Sequence, residues 1–277
     1  MKEEPTREAF FLPGGQDVRL FALHSAPRRN VRGALLFVHP FAEEMNRARR
    51  MVALAVQRFV DDGWAVLQVD LAGCGDSSGT LESTSWEDWL GNVDVAATWL
   101  QERYPVPLML WGLRAGCLIL SEWLGRNKGG HPVLYWHPVS SGRQHMSHFL
   151  RMKVAGEVPE GLDARAVLQG MRSRLDLGGS VEVAGYTVSA SLVKGLEQSM
   201  LDFPAAYGGR VCVLEVNSST RCELSPILAS FVNRWRQGGV IVESGVATGP
   251  AFWLTQEVTL APDLIELSRE ALARLVS

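Results

Sequence analysis

Short continuous apolar runs alternate along this chain with stretches whose apolar residues recur every three or four positions. Positions 17–25 alternate polar and apolar residues around Val18, Leu20 and Ala22, the two-residue period of a half-buried strand. Gly33–Val38 is apolar throughout and ends at His39-Pro40, which suits a central strand covered on both faces. Met51, Val52, Leu54, Ala55, Phe59 and Val60 follow with helical spacing, and Asp61-Asp62-Gly63 stops that helix. Trp64–Val69 predicts the next buried strand, closed by Asp70. Thr84 with Glu87 three residues on reads as a capping box. The helix behind it carries Trp86, Trp89, Leu90, Val93, Ala97 and Leu100 on one face. Positions 107–111 then read as a strand, 114–127 as a helix and 132–136 as a strand.

Strand and helix alternating in this way predict an α/β fold, a mostly parallel central sheet with helices on both faces. The rhythm breaks after Gly142. From Arg143 to about Tyr207 come helix-like segments and a hairpin over 181–188, which read as an inserted cap. The core resumes with a strand over 211–216, a helix Pro226–Gln237, a strand over 240–242 and a last helix Pro262–Leu275. The expected division is therefore core over 1–142, cap or lid over 143–207, and core again over 208–277.

Composition narrows the function. The net charge of −3 and the absence of a long basic run give nucleic-acid binding no electrostatic support. Met1-Lys2-Glu3-Glu4-Pro5 is polar and lacks the apolar core of a signal peptide. No apolar stretch approaches the ~18 residues of a membrane span. Cys74, Cys117, Cys212 and Cys222 have no C-x-x-C spacing, so reduced thiols in a cytoplasmic protein are expected, with no metal and no cofactor.

The most informative local signal is Gly112-Leu113-Arg114-Ala115-Gly116. An apolar strand leads into Gly-x-X-x-Gly and a helix follows, the setting of a nucleophile elbow, where X is an attacking serine held on a sharp turn. Here X is Arg114. A guanidinium stays protonated and has no usable lone pair, so it cannot attack a carbonyl.

Three motifs now agree in order. They are the strand ending His39-Pro40-Phe41, the segment Asp70-Leu71-Ala72-Gly73-Cys74-Gly75-Asp76-Ser77-Ser78-Gly79, and the elbow. Together they resemble the α/β-hydrolases of the serine aminopeptidase-like group over nearly the whole chain. More narrowly, His39-Pro40-Phe41-Ala42-Glu43-Glu44-Met45-Asn46, the elbow and Gly249-Pro250-Ala251-Phe252-Trp253 are similar to the exosortase A system-associated hydrolase of the second type. That resemblance implies an α/β-hydrolase fold, a link to bacterial exopolysaccharide loci, and an acyl or ester substrate. It leaves a homodimer, or a complex with another protein of such a system, open as partners.

Carried onto this chain, the triad of such hydrolases is not intact. The nucleophile position holds Arg114. The acid would sit in the loop 217–223, where Glu223 is the only carboxylate, and the base would sit in 245–253, where there is no histidine. A triad acts as a unit, so loss of several members argues against selection for this chemistry. The oxyanion donors implied by the resemblance would be the backbone N–H groups of Phe41 and Ala115. A helix N-terminus with free N–H groups attracts anions, and Arg114 adds a full charge beside it. Two readings stay open: a carboxylate or phosphate ligand bound there, or an internal ion pair of Arg114 with Glu43 or Glu44, the more common arrangement for a buried arginine. His39 and His137 end strands at the same sheet edge and complete the set of pocket candidates. Cys117, Cys74 and Cys222 are weaker nucleophile candidates, with core packing the simpler role for Cys117. His131, His145 and His148 lack metal-ligand spacing. Arg47, Arg49 and Arg50 suit a solvated face or partners for Glu43 and Glu44, and Trp86, Trp89 and Trp99 suit packing.

Overall fold

The computed structural model describes residues 5–15, 17–127, 129–157, 163–205, 207–219 and 223–275. Its centre is an eight-stranded sheet built from β1 (Thr6–Pro13), β2 (Arg19–Ala26), β3 (Gly33–Val38), β4 (Trp64–Val69), β5 (Leu108–Leu113), β6 (Val133–Trp136), β9 (Arg210–Asn217) and β10 (Ile241–Thr248). The order across the sheet is β1-β2-β4-β3-β5-β6-β9-β10. β2 runs antiparallel to β1 and β4, and every pairing from β4 to β10 is parallel.

Continuous apolar strands arise because both faces are covered. From β3, Leu35 and Phe37 point to one side with Met109 and Trp111 of β5 and Trp136 of β6. That side packs on α1 (Glu43–Asp61) and α8 (Pro262–Leu275), through Met51, Ala55, Phe59, Leu264 and Leu272. Leu36, Val38, Leu110 and Tyr135 point to the other side. There they meet α2 (Trp86–Arg103), α3 (Gly116–Asn127) and α7 (Pro226–Gln237) through Trp89, Val93, Leu120 and Val232. Between β6 and β9 stand α4 (Gly142–Glu157), α5 (Ala164–Asp176), the hairpin β7 (Val181–Val183) and β8 (Tyr186–Val188), and α6 (Ala190–Gln198). Their buried residues, among them Met146, Phe149, Val183 and Leu196, join the α2–α3 side of the core.

Several local expectations shift. The capping box of α2 is Ser85 with Asp88, one residue later than Thr84 with Glu87: Ser85 Oγ accepts the Asp88 N–H at 3.1 Å, and Asp88 Oδ2 accepts the Ser85 N–H at 2.8 Å. Thr84 instead donates its hydroxyl to the Thr80 carbonyl. The helix expected from Arg114 begins at Gly116, because Arg114 is itself in the turn. β1 gave no sequence signal, since as an edge strand it is mostly exposed. β10 runs well beyond 240–242, its pattern blurred by Glu243, Ser244 and Gly245.

The elbow depends on one glycine. A Cβ at Gly116 would overlap the Val38 carbonyl oxygen and stand 2.7 Å from that of His39, both backbone atoms that cannot yield cheaply. Gly116→Ala should therefore destabilise the fold by about 2–3 kcal/mol, as measured by urea denaturation. A loss below about 0.5 kcal/mol would mean that the strand end and the elbow are not held in close contact.

Candidate functional site

The site forms where β3, β5, β6 and β9 end at one edge of the sheet, the edge at which ligands collect in α/β folds. Left-handed backbone gathers there. Six non-glycine residues have positive φ among the described residues, and four of them line a single cavity: Ala42 (φ 50°), Arg114 (φ 55°), His137 (φ 41°) and Ala184 (φ 49°). Such conformations cost energy and persist where surrounding structure enforces them, often at functional sites.

Arg114 occupies the strand-to-helix turn. Its N–H donates to the Trp136 carbonyl at 3.0 Å, and its own carbonyl accepts the Cys117 N–H at 3.1 Å. The side chain turns into the cavity, where Nε and Nη2 donate to Glu44 Oε1 at 3.3 and 3.2 Å. The guanidinium also lies 5.2 Å from the centre of the Trp253 ring, a cation–π distance. Both charges are largely withdrawn from water, with side-chain exposures of 18% for Arg114 and 14% for Glu44. Glu44 lies in the first turn of α1, where the helix dipole favours a carboxylate. Its Oε2 is buried and has no hydrogen-bond partner.

Glu43 turns elsewhere. It accepts from Tyr186 Oη at 2.8 Å, Asn46 Nδ2 at 3.3 Å and Arg47 Nε at 3.5 Å. Burial pushes its carboxyl up, but these hydrogen bonds and the Arg47 charge outweigh burial and hold it below the usual range.

The histidines divide by environment. His137 Nδ1 accepts the Val216 N–H at 3.1 Å, which places the proton of the neutral ring on Nε2. Burial and the Arg114 charge push its pKa down to about 3. His145, on α4, also borders the cavity and is pushed down to about 4 by burial, with Glu44 opposing and Arg114 adding to the shift. His39, a pocket candidate from sequence, is not in this cavity. Its Nε2 accepts the Leu71 N–H at 3.1 Å and its Nδ1 lies 2.7 Å from the Pro40 carbonyl, so both nitrogens serve the strand ends. Burial lowers its pKa, and it borders a separate depression beside Arg49 and Asp70.

The backbone N–H groups of Phe41 and Ala115 have no hydrogen-bond partner among the described residues. Among the same residues no histidine nitrogen is hydrogen-bonded to a serine hydroxyl or a cysteine thiol. Burial raises the thiols of Cys74 and Cys117, so neither is poised as a thiolate. Cys222 lies outside the described residues. Glu223, the expected acid, is exposed and does not reach the cavity. A carboxylate that sequence reasoning passed over does: Glu215, buried on β9, accepts the Ser225 N–H at 2.6 Å. Its signal was a lone charge inside the apolar run Val211-Cys212-Val213-Leu214-Glu215-Val216. The loop after β10 delivers the Trp253 ring under Arg114, where the resemblance would put a base.

The cavity measures about 520 Å³, within the range of small-molecule sites. Phe41, Val139, Phe149 and Leu228 form apolar walls above the Arg114 floor. Among the described residues no three metal-ligating side chains stand together, and no helix is long and apolar enough to cross a membrane.

No family model matches the chain, and no curated protein matches it. Solved structures do. Est1E from Butyrivibrio proteoclasticus, with ferulic acid bound, is 16% identical with a TM-score of 0.62, over 97% of this chain and 99% of that one. A thermostable carboxyl esterase from Bacillus coagulans is 14% identical with a TM-score of 0.63, over 99% and 100%. A serine hydrolase without a lid from Xanthomonas campestris is 14% identical with a TM-score of 0.55, over 98% and 93%. The protein has the α/β-hydrolase fold. At these identities the likeness establishes architecture alone.

The neutral histidines set a pH dependence. Their pKa values lie below the ordinary 6.5, so the unfolded chain binds more protons than the folded one as pH falls. Folding stability should be full above about pH 6.5 and decline toward pH 4. His145→Gln should flatten that decline in urea denaturation series, and an unchanged slope would contradict the buried, neutral state of His145.

Proposed function

We propose that this protein is a non-catalytic α/β-hydrolase-fold protein, a pseudo-hydrolase whose cavity binds a small acyl-bearing molecule without cleaving it. The observation that carries the reading is Arg114 at the nucleophile position, closed onto Glu44. Supporting it, the one nitrogen of His137 that could take a proton already accepts the Val216 N–H. The free N–H groups of Phe41 and Ala115 would receive a carbonyl oxygen, and the apolar walls would hold the chain attached to it. The internal pair weighs against a free carboxylate or phosphate as ligand, because the cation meant for it is already neutralised. In this reading residues 143–207 act as the cap, with α4 and the β7–β8 turn over the cavity.

The motif resemblance supports a place in exosortase-linked exopolysaccharide work in the cytoplasm, as a homodimer or with another protein of that system. The esterases among the solved neighbours favour a second reading, a non-classical hydrolase of an acyl or ester substrate.

Labelling with a fluorophosphonate, alongside turnover of short acyl esters, separates the two. The pseudo-hydrolase reading expects no labelled serine and no turnover. It also expects Arg114→Ser to remain inactive, because a serine there would still lack a base. Labelling with turnover in the wild type, or esterase activity in Arg114→Ser, would establish the hydrolase reading instead.

A further inference from the structure

The charges lining the cavity do not balance. Three carboxylates, Glu43, Glu44 and Glu215, face it with two guanidiniums, Arg47 and Arg114. The pairs Glu43–Arg47 and Glu44–Arg114 account for four of these five groups, and Glu215 is left over. Glu215 is 9% exposed, and only its Oε2 is engaged, by the Ser225 N–H. Among the described residues Oε1 has no hydrogen-bond partner, and it keeps some access to solvent. A second carboxylate oxygen, Oε2 of Glu44, is buried and has no hydrogen-bond partner among the described residues. A carboxylate this far withdrawn from bulk water with no cation beside it is costly, so the floor of this cavity lacks a donor-rich, positive group.

Exposed apolar side chains line the same cavity. Met152 of α4, Ile227 of α7 and Leu254 of the loop after β10 are 45%, 59% and 57% exposed, and all three line the same mouth. Large exposed apolar side chains from three separate elements converging on one opening mark an entrance for a hydrocarbon chain.

We infer that the cavity takes a cationic amphiphile, with a primary ammonium head on Glu215 and an alkyl or acyl-derived chain running past Phe149 and Leu228 to the mouth. The inference rests on the reading of this cavity as a ligand site and names the charge of what enters it. An ammonium brings three donors and one positive charge, which is what the unpaired carboxylate lacks. An anionic head of the same length would face two carboxylates, with both guanidiniums already paired. A neutral alcohol would gain the chain burial without the ion pair.

Isothermal titration of the full chain at pH 8 with octylammonium, octanol and octanoate tests this. Octylammonium should bind about tenfold tighter than octanol, and octanoate weakest of the three. Glu215→Gln keeps an oxygen for the Ser225 N–H. It should weaken octylammonium about tenfold and leave octanol unchanged. If that variant does not fold, the ranking of the three head groups on the wild type decides. Octanoate binding as tightly as octylammonium, or an unchanged octylammonium affinity in folded Glu215→Gln, overturns the inference and leaves the non-catalytic reading intact. If none of the three binds, the cavity is not a site for amphiphiles, and this inference falls together with ligand binding there. A fluorophosphonate label with ammonium selectivity preserved overturns only the non-catalytic reading.

Discussion

The ion pair between Arg114 and Glu44 governs this site. It ties the elbow after β5 to the first turn of α1, two segments that sheet pairing brings side by side through β3 and β5. Both ends are held in strained backbone, with Ala42 ahead of the helix and Arg114 in the turn at positive φ. The pair lies in the cavity at the elbow, and the Trp253 ring packs against its guanidinium. A charge so withdrawn from water needs its partner. The other features of the floor follow: a neutral His137 beside a guanidinium and a neutral His145 beside the pair.

In the non-catalytic reading proposed above, the fold and the chemistry have separated. The architecture that presents an elbow at a sheet edge is intact, down to the close approach of Gly116 to the end of β3. At the elbow stand two groups that hold one another, Arg114 and Glu44. What persists is an apolar cavity with an open rim and a floor that keeps one carboxylate in excess.

Much of this was legible in the sequence, for identifiable reasons. β3 and β5 are covered on both faces, so their residues are apolar without interruption and announce themselves, and β4 breaks the pattern only at Gln68. The elbow is legible because two glycines stand two positions either side of Arg114, the residue held at φ 55°. β1 was silent because an edge strand with most side chains in water has no apolar period. Glu44 and Glu43 could not be told apart as partners of Arg114. In hindsight Arg47, four residues after Glu43 on α1, was the local hint that Glu43 would pair along its own helix. Glu215 is hard to read from sequence because it sits inside a buried strand, ahead of the loop where the resemblance implies an acid. His39 misled because it ends the right strand, while its ring is consumed in holding that strand end to Leu71.

The most direct measurement of the central claim is a double-mutant cycle of Arg114→Ala and Glu44→Ala, read by urea denaturation at neutral pH. If the elbow arginine is neutralised inside the protein, each single change strands a buried charge and the double change strands none. The two should then couple by about 1.5–3 kcal/mol, with the double variant more stable than the sum of the single losses predicts. Additivity within about 0.5 kcal/mol would contradict the account, because Arg114 would then be free of Glu44 and available to a ligand.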